Sequence, residues 1–108
     1  MNVTHKRDAG SPRLQAAIVE PILLSCVNNI AIYEINSNIK KIPTLKHTVT
    51  VNIIKKYLFY LVEYGLVLYD GQKHVFALED GGFDLLNMID EERRQEKTDL
   101  GDIEITLE

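Results

Sequence analysis

Residues 54–86 decide the fold of this chain, and they read IKKYLFYLVEYGLVLYDGQKHVFALEDGGFDLL. A helical pattern stops at Gly65, because the residue after a helix often takes a positive φ and only glycine does so without steric cost. Two short β-favouring runs follow, residues 66–69 and 74–78, and Asp70 with Gly71 supplies the turn between them. The stretch predicts a helix, a β-hairpin and the start of another helix.

The helix before Gly65 is predicted over residues 49–64 and has two faces. At ~100° per residue its apolar side chains form one broad band that we expect to be buried. Its tyrosines are expected to form a buried stripe whose hydroxyls reach the rim, where they could also line a dimer interface. The opposite sector, which we expect to face solvent, holds Asn52, Lys55, Lys56, Phe59 and Glu63.

Two helices are predicted upstream. The first begins at Ser11 and Pro12, which fit an N-cap and a first helical residue. Pro21 lies inside it, so this helix is either kinked there or begins only at Pro21. A short second helix is predicted within residues 30–42, and residues 44–48 form a longer connection than a compact helix-turn-helix has.

Downstream of the hairpin, Asp80 fits the N-cap of a fourth helix that reaches about residue 97. Residues 98–108 are acidic, with apolar residues alternating as in a short strand. Without a partner strand we expect this tail to be disordered. The predicted organisation is a mobile arm over residues 1–11, one domain over residues 12–97 and the acidic tail.

Bulk composition narrows the class of protein. A chain of 108 residues, 45% of them hydrophobic, suits a single domain. No uncharged stretch approaches the roughly 17 to 25 apolar residues of a membrane span, and no secretory signal is recognisable. Cys26 is the only cysteine, so no internal disulfide is possible and a reducing cytoplasm is expected.

The charge is unevenly distributed along the chain. The net charge is -4, yet residues 38–57 contain five lysines and no acid, whereas residues 79–108 contain eleven acids and three bases. Exposed charges more than about 10 Å apart are largely screened at ~0.1 M salt, so the lysine-rich segment can act locally. Such asymmetry is compatible with a polyanionic partner.

The order of these elements predicts an α+β, mainly α fold: a winged helix-turn-helix with a C-terminal helix after the β-hairpin wing. The chain over about residues 14–94 resembles archaeal winged-helix DNA-binding proteins, through Lys56-Tyr57-Leu58, Tyr64-Gly65-Leu66-Val67, the hairpin and residues 78–86. The resemblance implies a transcriptional regulator or chromatin-type protein that binds double-stranded DNA, commonly as a homodimer. Cytoplasmic, nucleoid-associated localisation would follow.

This chain departs from the family pattern at three places. Glu79 stands where a threonine is expected before the last helix. Residues 40–48 look like an insertion, which shifts the register of carried-over contacts. The sustained heptads of relatives that dimerise through a long antiparallel coiled coil are absent, so a dimer would be built differently and its interface, the first or the fourth helix, stays open.

Three groups of side chains are candidates for DNA contacts. Asparagine can pair with adenine, lysine can address guanine, and threonine and lysine reach phosphates. The candidates on and before the third helix are Thr48, Thr50, Asn52, Lys55 and Lys56. Those of the preceding loop are Lys40, Lys41, Lys46 and His47. Those of the hairpin tip, a wing for the minor groove, are Gln72 and Lys73.

Each group also has a simpler explanation. An ordinary solvated helix face accounts for the lysines of the third helix, and a solvated loop accounts for those before it. Phe59 either packs under residues 40–48 or marks a contact with a partner. The alternative function is a winged-helix module that binds protein and not DNA. In a further hypothesis, the acidic tail folds over the lysines and competes with DNA.

Other chemistry is not expected. His5, His47 and His74 with Cys26 match no compact metal-ligand spacing, and a lone cysteine in an apolar helix is usually a small hydrophobe. A Gly-rich phosphate loop, a nucleophile motif and a pair of carboxylates in an apolar setting are all missing from the sequence. We expect no enzyme activity, no cofactor, no metal and no small-molecule ligand.

Overall fold

A computed structural model describes residues 2–3, 12–96 and 103–107, with side chains for 12–95 and 103–107. Within them the chain forms four α-helices and two small antiparallel sheets, which confirms the predicted α+β, mainly helical class. The elements are β1 (Asn2–Val3), β2 (Arg13–Gln15), α1 (Ala16–Ser25), α2 (Ile32–Lys40), α3 (Val51–Glu63), β3 (Val67–Asp70), β4 (Val75–Leu78), α4 (Asp80–Glu96) and β5 (Glu104–Thr106).

The four helices enclose one hydrophobic core. Each helix contributes aliphatic side chains that are almost fully buried. Burial of one such side chain stabilises the fold by about 1.5–3 kcal/mol. The predicted faces of α3 are confirmed, since its apolar band is buried or half-buried along most of its length and its opposite sector is exposed. The largest fully buried side chains of the helices are Ile22, Leu23, Ile35, Ile39, Ile54, Leu58, Leu61, Leu85 and Ile89.

Gly65 ends α3 as predicted. Its φ is 73°, and its N–H donates to the Val62 carbonyl oxygen at 3.1 Å. The next N–H, of Leu66, donates to the Leu61 carbonyl oxygen at 2.9 Å, which completes a Schellman motif. The chain therefore leaves α3 in a fixed direction and enters the hairpin at once.

Strands β3 and β4 pair antiparallel, with Val67 opposite Leu78 and Asp70 opposite Val75. The turn differs from the predicted Asp-Gly turn in one respect. The residue with positive φ is His74, at 55°, and not Gly71. The Asp70 carboxylate accepts hydrogen bonds from the backbone N–H groups of Gln72 and Lys73 and holds the turn in that form.

The connection between α1 and α2 is joined to this hairpin. The Ile30 N–H donates to the Phe76 carbonyl oxygen at 3.0 Å, and the Phe76 N–H donates to the Ile30 carbonyl oxygen at 2.7 Å. Ile30 thus acts as a one-residue third strand beside β4. This pairing fixes the start of α2 against the hairpin.

The predicted start of the first helix is wrong. Residues 13–15 form strand β2, and the helix begins only at Ala16. Leu14 lies opposite Ile105 of β5 and is buried, so burial and strand pairing outweigh the local helix signal of Ser11 and Pro12. Helix α1 then continues through Pro21 to Ser25 and does not begin there.

The predicted disorder of the tail is also wrong for residues 103–107. Strand β5 lies between β1 and β2, so it is the central strand of a sheet built from both ends of the chain. Ile103, Ile105 and Leu107 are buried, as their alternation suggested. The mobile arm is likewise contradicted at Asn2–Val3, which form β1; the rest of residues 1–11, and residues 97–102 and 108, lie outside the described residues.

The start of α4 differs by one residue from the sequence prediction. Asp80 is the first helical residue, and the Glu79 carbonyl oxygen accepts the first bonds, from the N–H groups of Gly82 and Phe83. In the described part of the chain, no helix combines the length and apolar character that crossing a bilayer requires.

Candidate nucleic-acid interface

The lysines of residues 38–57 lie on three consecutive pieces of the fold. Lys40 is the last residue of α2 and Lys41 its C-cap, where positive charge suits the negative end of the helix dipole. Lys46 belongs to the α2–α3 connection, and Lys55 and Lys56 lie on α3. All five side chains are exposed to solvent.

These lysines are not neutralised by the described acidic groups. Ion pairs within 4.0 Å occur elsewhere in the described residues and involve other cations. They join Arg13 to Glu104, Arg93 to Glu20 and Asp90, and Arg94 to Asp90. Two of the three bases in the acidic C-terminal third are thus paired with acids, whereas the lysines of residues 38–57 have no ion pair with an acid of the described residues.

The α2–α3 connection is a series of turns and not an extended loop. The Ile42 carbonyl oxygen accepts from the Leu45 and Lys46 N–H groups, and the Leu45 carbonyl oxygen accepts from the Val49 N–H. Leu45 and Val49 are buried and anchor the connection, while Lys46 and His47 between them are exposed. The Lys40 ammonium donates to the Lys46 backbone carbonyl oxygen at 3.4 Å, which joins the end of α2 to the connection.

The threonines at the start of α3 make hydrogen bonds within the chain. Thr50 is the N-cap of α3, and its hydroxyl oxygen accepts a hydrogen bond from the Ile53 N–H at 3.3 Å. The Thr48 hydroxyl donates to the Thr44 carbonyl oxygen at 3.4 Å. Both residues remain exposed beside Asn52, so the cap presents polar groups at the helix N-terminus.

Lys55 and Lys56 point in different directions. Neighbouring helical residues are ~100° apart around the axis. Lys55 borders a groove next to the hairpin, together with Phe59 and Glu63, whereas Lys56 does not line it. Lys55 therefore lies at the edge of the groove, and Lys56 lies outside it.

The hairpin tip presents Gln72 and Lys73 on a defined turn. Both are exposed, and their backbone N–H groups bind the Asp70 carboxylate at 3.0 and 3.2 Å. His74 follows, with its Nδ1 atom 3.0 Å from the Tyr69 hydroxyl. The tip follows α3 in the chain, and residues 40–50 precede α3. The hairpin lies alongside α3, since Tyr69 and His74 line the same groove as Lys55.

The groove beside the hairpin was not foreseen as a site. It has a volume of about 540 Å³ and lies between the start of α2, the exposed side of α3 and the hairpin. Tyr33 and Phe59 are 77% and 60% exposed, so large aromatic surface faces solvent. The sequence signal for it was Phe59 on a polar sector. The lining is Ile32, Tyr33, Lys55, Leu58, Phe59, Val62, Glu63, Tyr69, His74 and Phe76.

The aromatic residues of α3 differ in how deeply they are buried. Tyr57 is buried, Tyr60 is half-buried and Tyr64 is exposed, so the expected stripe emerges from the core toward the end of the helix. The Phe59 ring meets the Tyr60 ring edge-on, with centroids 5.6 Å apart. Phe59 is exposed and lines the groove. The alternative that it packs under residues 40–48 is therefore wrong.

Cys26 has no catalytic or metal-binding setting. It is fully buried at the end of α1, and burial raises the pKa of its thiol to about 12. A neutral buried thiol is a poor nucleophile and a poor ligand. Among the described residues, no group of three or more histidine, cysteine or acidic side chains is arranged to hold a metal ion.

Comparison of this chain with protein-family models, with curated proteins and with solved structures finds no match in any of the three.

Proposed function

We propose that this chain is a winged helix-turn-helix domain that binds double-stranded DNA, with α3 in the major groove and the hairpin as the wing. The element order supports the proposal, because α2 and α3 are followed directly by the hairpin and then by α4. The pairing of Ile30 with Phe76 supports it further, because it makes the hairpin part of the helical domain.

One observation carries the proposal: five exposed lysines lie on α3 or on the segments that lead into it, and none is paired with an acid of the described residues. The N-terminal residues of a recognition helix contact base edges. Asn52 can pair bidentately with adenine there, and Lys56 can address guanine or a phosphate. Lys40, Lys41 and Lys46 would neutralise backbone phosphates.

The biological role follows as part of the same proposal. A small DNA-binding domain of this design acts as a transcriptional regulator or a chromatin-type protein in the cytoplasm, associated with the nucleoid. Gln72 and Lys73 would approach the minor groove from the wing, with Lys73 giving the only firm charge there.

The test is binding of random-sequence duplex DNA, followed by fluorescence anisotropy over a range of salt concentrations. With about four phosphate contacts, the slope of log affinity against log salt should be about -3.6, from ~0.9 per contact. Lys56→Glu should weaken binding and flatten the slope. The control is Arg94→Glu, an identical charge change on α4, which should leave binding close to wild type. Equal effects of both variants, or no binding at low salt, would overturn the proposal.

A second candidate function is protein binding without DNA binding. It is favoured by the apolar groove, since exposed contiguous aromatic surface commonly marks a protein contact. Self-association or partner binding in a protein that never retards duplex DNA would favour this second function.

A further inference from the structure

Three residues on the groove side of α3 form one stripe with a charge at each end. Lys55, Phe59 and Glu63 follow one another at intervals of four residues, and all three are exposed and line the groove. Each interval corresponds to a rise of ~6 Å along the helix. The stripe is therefore positive at its N-terminal end, aromatic in the middle and negative at its C-terminal end.

Such a stripe is complementary to a reversed copy of itself. In a two-fold dimer the same patch is used by both subunits, and residue i of one meets residue j of the other in both directions. If the axis passes beside Phe59 at a right angle to α3, the two α3 helices lie antiparallel. Lys55 then faces the partner subunit's Glu63, and Glu63 faces the partner subunit's Lys55.

The shape of the surface suits the same arrangement. Phe59 stands out from α3 at 60% exposure, directly beside a hollow of about 540 Å³ lined by aromatic and aliphatic groups. In a dimer, the Phe59 ring of each subunit can enter the apolar hollow of the other subunit. Aromatic residues are enriched and charged ones depleted at the centres of such interfaces.

We propose that the groove is the self-association site of this protein, occupied by a second copy in a two-fold dimer with antiparallel α3 helices. The charge pattern favours a second copy over a nucleic acid, because Glu63 would repel phosphates at one end of the groove. The interface stands independently of the proposed DNA binding. A second consequence does rest on the proposed DNA binding. The interface includes Lys55, so dimerisation would cover part of the DNA-binding face and would compete with DNA binding.

A charge reversal on the full-length chain tests the interface, with sedimentation equilibrium as the readout. The single changes Lys55→Glu and Glu63→Lys should each raise the dimer dissociation constant about tenfold or more, the size of a hot-spot contact. Together they restore opposite charges across the axis, so the double variant should return toward wild-type dimerisation. Phe59→Ala should weaken the dimer as well. Leu24→Ala, which truncates a residue 56% exposed on α1, is the matched control and should leave it intact.

Two results would overturn the interface. One is a wild-type chain that stays monomeric up to its solubility limit. The other is a double variant no better associated than the single variants. Circular dichroism of each variant separates a lost contact from a lost fold.

Titration of the wild-type dimer with duplex DNA then tests the competition, which should appear as dissociation into DNA-bound monomers. If the charge variants change dimerisation as predicted but the protein binds no DNA, the proposed interface is supported and the proposed DNA-binding function is wrong. A dimer that binds DNA without dissociating would overturn the competition.

Discussion

The Gln15 backbone N–H donates a hydrogen bond to the Tyr57 hydroxyl oxygen at 3.1 Å. Gln15 ends β2, an edge strand of the terminal sheet, and Tyr57 is a buried residue of α3. The bond satisfies an outward-facing strand N–H that would otherwise be left open at the sheet edge. It directly joins the sheet formed by the chain ends to the helix that carries the candidate site.

Removing this hydroxyl should lower the free energy of unfolding. Tyr57→Phe leaves the Gln15 N–H without its partner, at an expected cost of about 0.5–1.5 kcal/mol by urea denaturation. Tyr60→Phe is the control, because the Tyr60 hydroxyl makes no hydrogen bond to a described residue. Equal stability of the two variants would show that the bond contributes nothing.

The same residue predicts a pH dependence. Burial, with a smaller effect of Glu104, raises the pKa of Tyr57 above its ordinary 10.0, although the Gln15 N–H acts in the opposite direction. Above pH 10.0 the unfolded chain releases a proton that the native chain keeps, so stability falls as pH rises. Tyr57→Phe should lose less stability than wild type over that range, as measured by thermal unfolding at stepwise pH.

The central strand of the terminal sheet should contribute strongly to stability. Ile105 is fully buried and is paired with Val3 and Leu14 of the flanking strands, so Ile105→Ala should cost about 2–5 kcal/mol. Glu104→Ala is the control; its ion pair with Arg13 spans 3.5 Å at the surface and should be worth less than about 1 kcal/mol. Guanidinium titration measures both. A cost below that of Glu104→Ala would mean that β5 is not a structural strand.

The hairpin turn offers a stabilising change. His74 has a φ of 55°, where side chains with a Cβ are strained by about 1–2 kcal/mol. His74→Gly removes this strain but also loses the exposed bond to Tyr69, so a net gain of about 0.5–1 kcal/mol is expected. His74→Ala is the matched control and should give no gain, since it loses the imidazole but keeps a Cβ. If His74→Ala melts at a higher temperature than His74→Gly, backbone strain at His74 is not the cause.

The buried thiol should be protected in the native protein. Because the pKa of Cys26 is raised to about 12, its thiol is neutral at pH 8 and lies out of contact with solvent. Reaction with a disulfide reagent should be slow without denaturant and fast in denaturant, with a rate limited by opening of the fold. A native rate equal to the denatured one would place Cys26 at the surface.

The hypothesis that the acidic tail folds over the lysines changes in light of the terminal sheet. Residues 103–107 are paired with β2, and the Glu104 carboxylate is 3.5 Å from the Arg13 guanidinium. Glu104, the one acid among these residues, is thus held in the sheet beside Arg13. Their deletion should first of all unfold the sheet, so tighter DNA binding after deletion is no longer expected.

The features that could be predicted from the sequence are those set by local interactions. The two faces of α3 follow from the helical period, and the stop at Gly65 follows from a backbone conformation that favours glycine. The hairpin follows from two β-favouring runs around a turn. The exposure of Asn52, Lys55 and Lys56 follows from the same helical period.

Only the tertiary structure decided the features that join distant segments. Leu14 and Ile105 are far apart in the chain, and no local pattern indicates that one pairs with the other. Local patterns therefore predict a helix start at β2 and a disordered tail at β5, and both predictions are wrong. The groove depends in the same way on α2, α3 and the hairpin meeting around Phe59. The sequence by itself determined which residues are helical, which face solvent and where the chain turns, because neighbouring residues set those properties. Folding decided which surfaces meet, because that is set by the burial and strand pairing of residues distant in the chain.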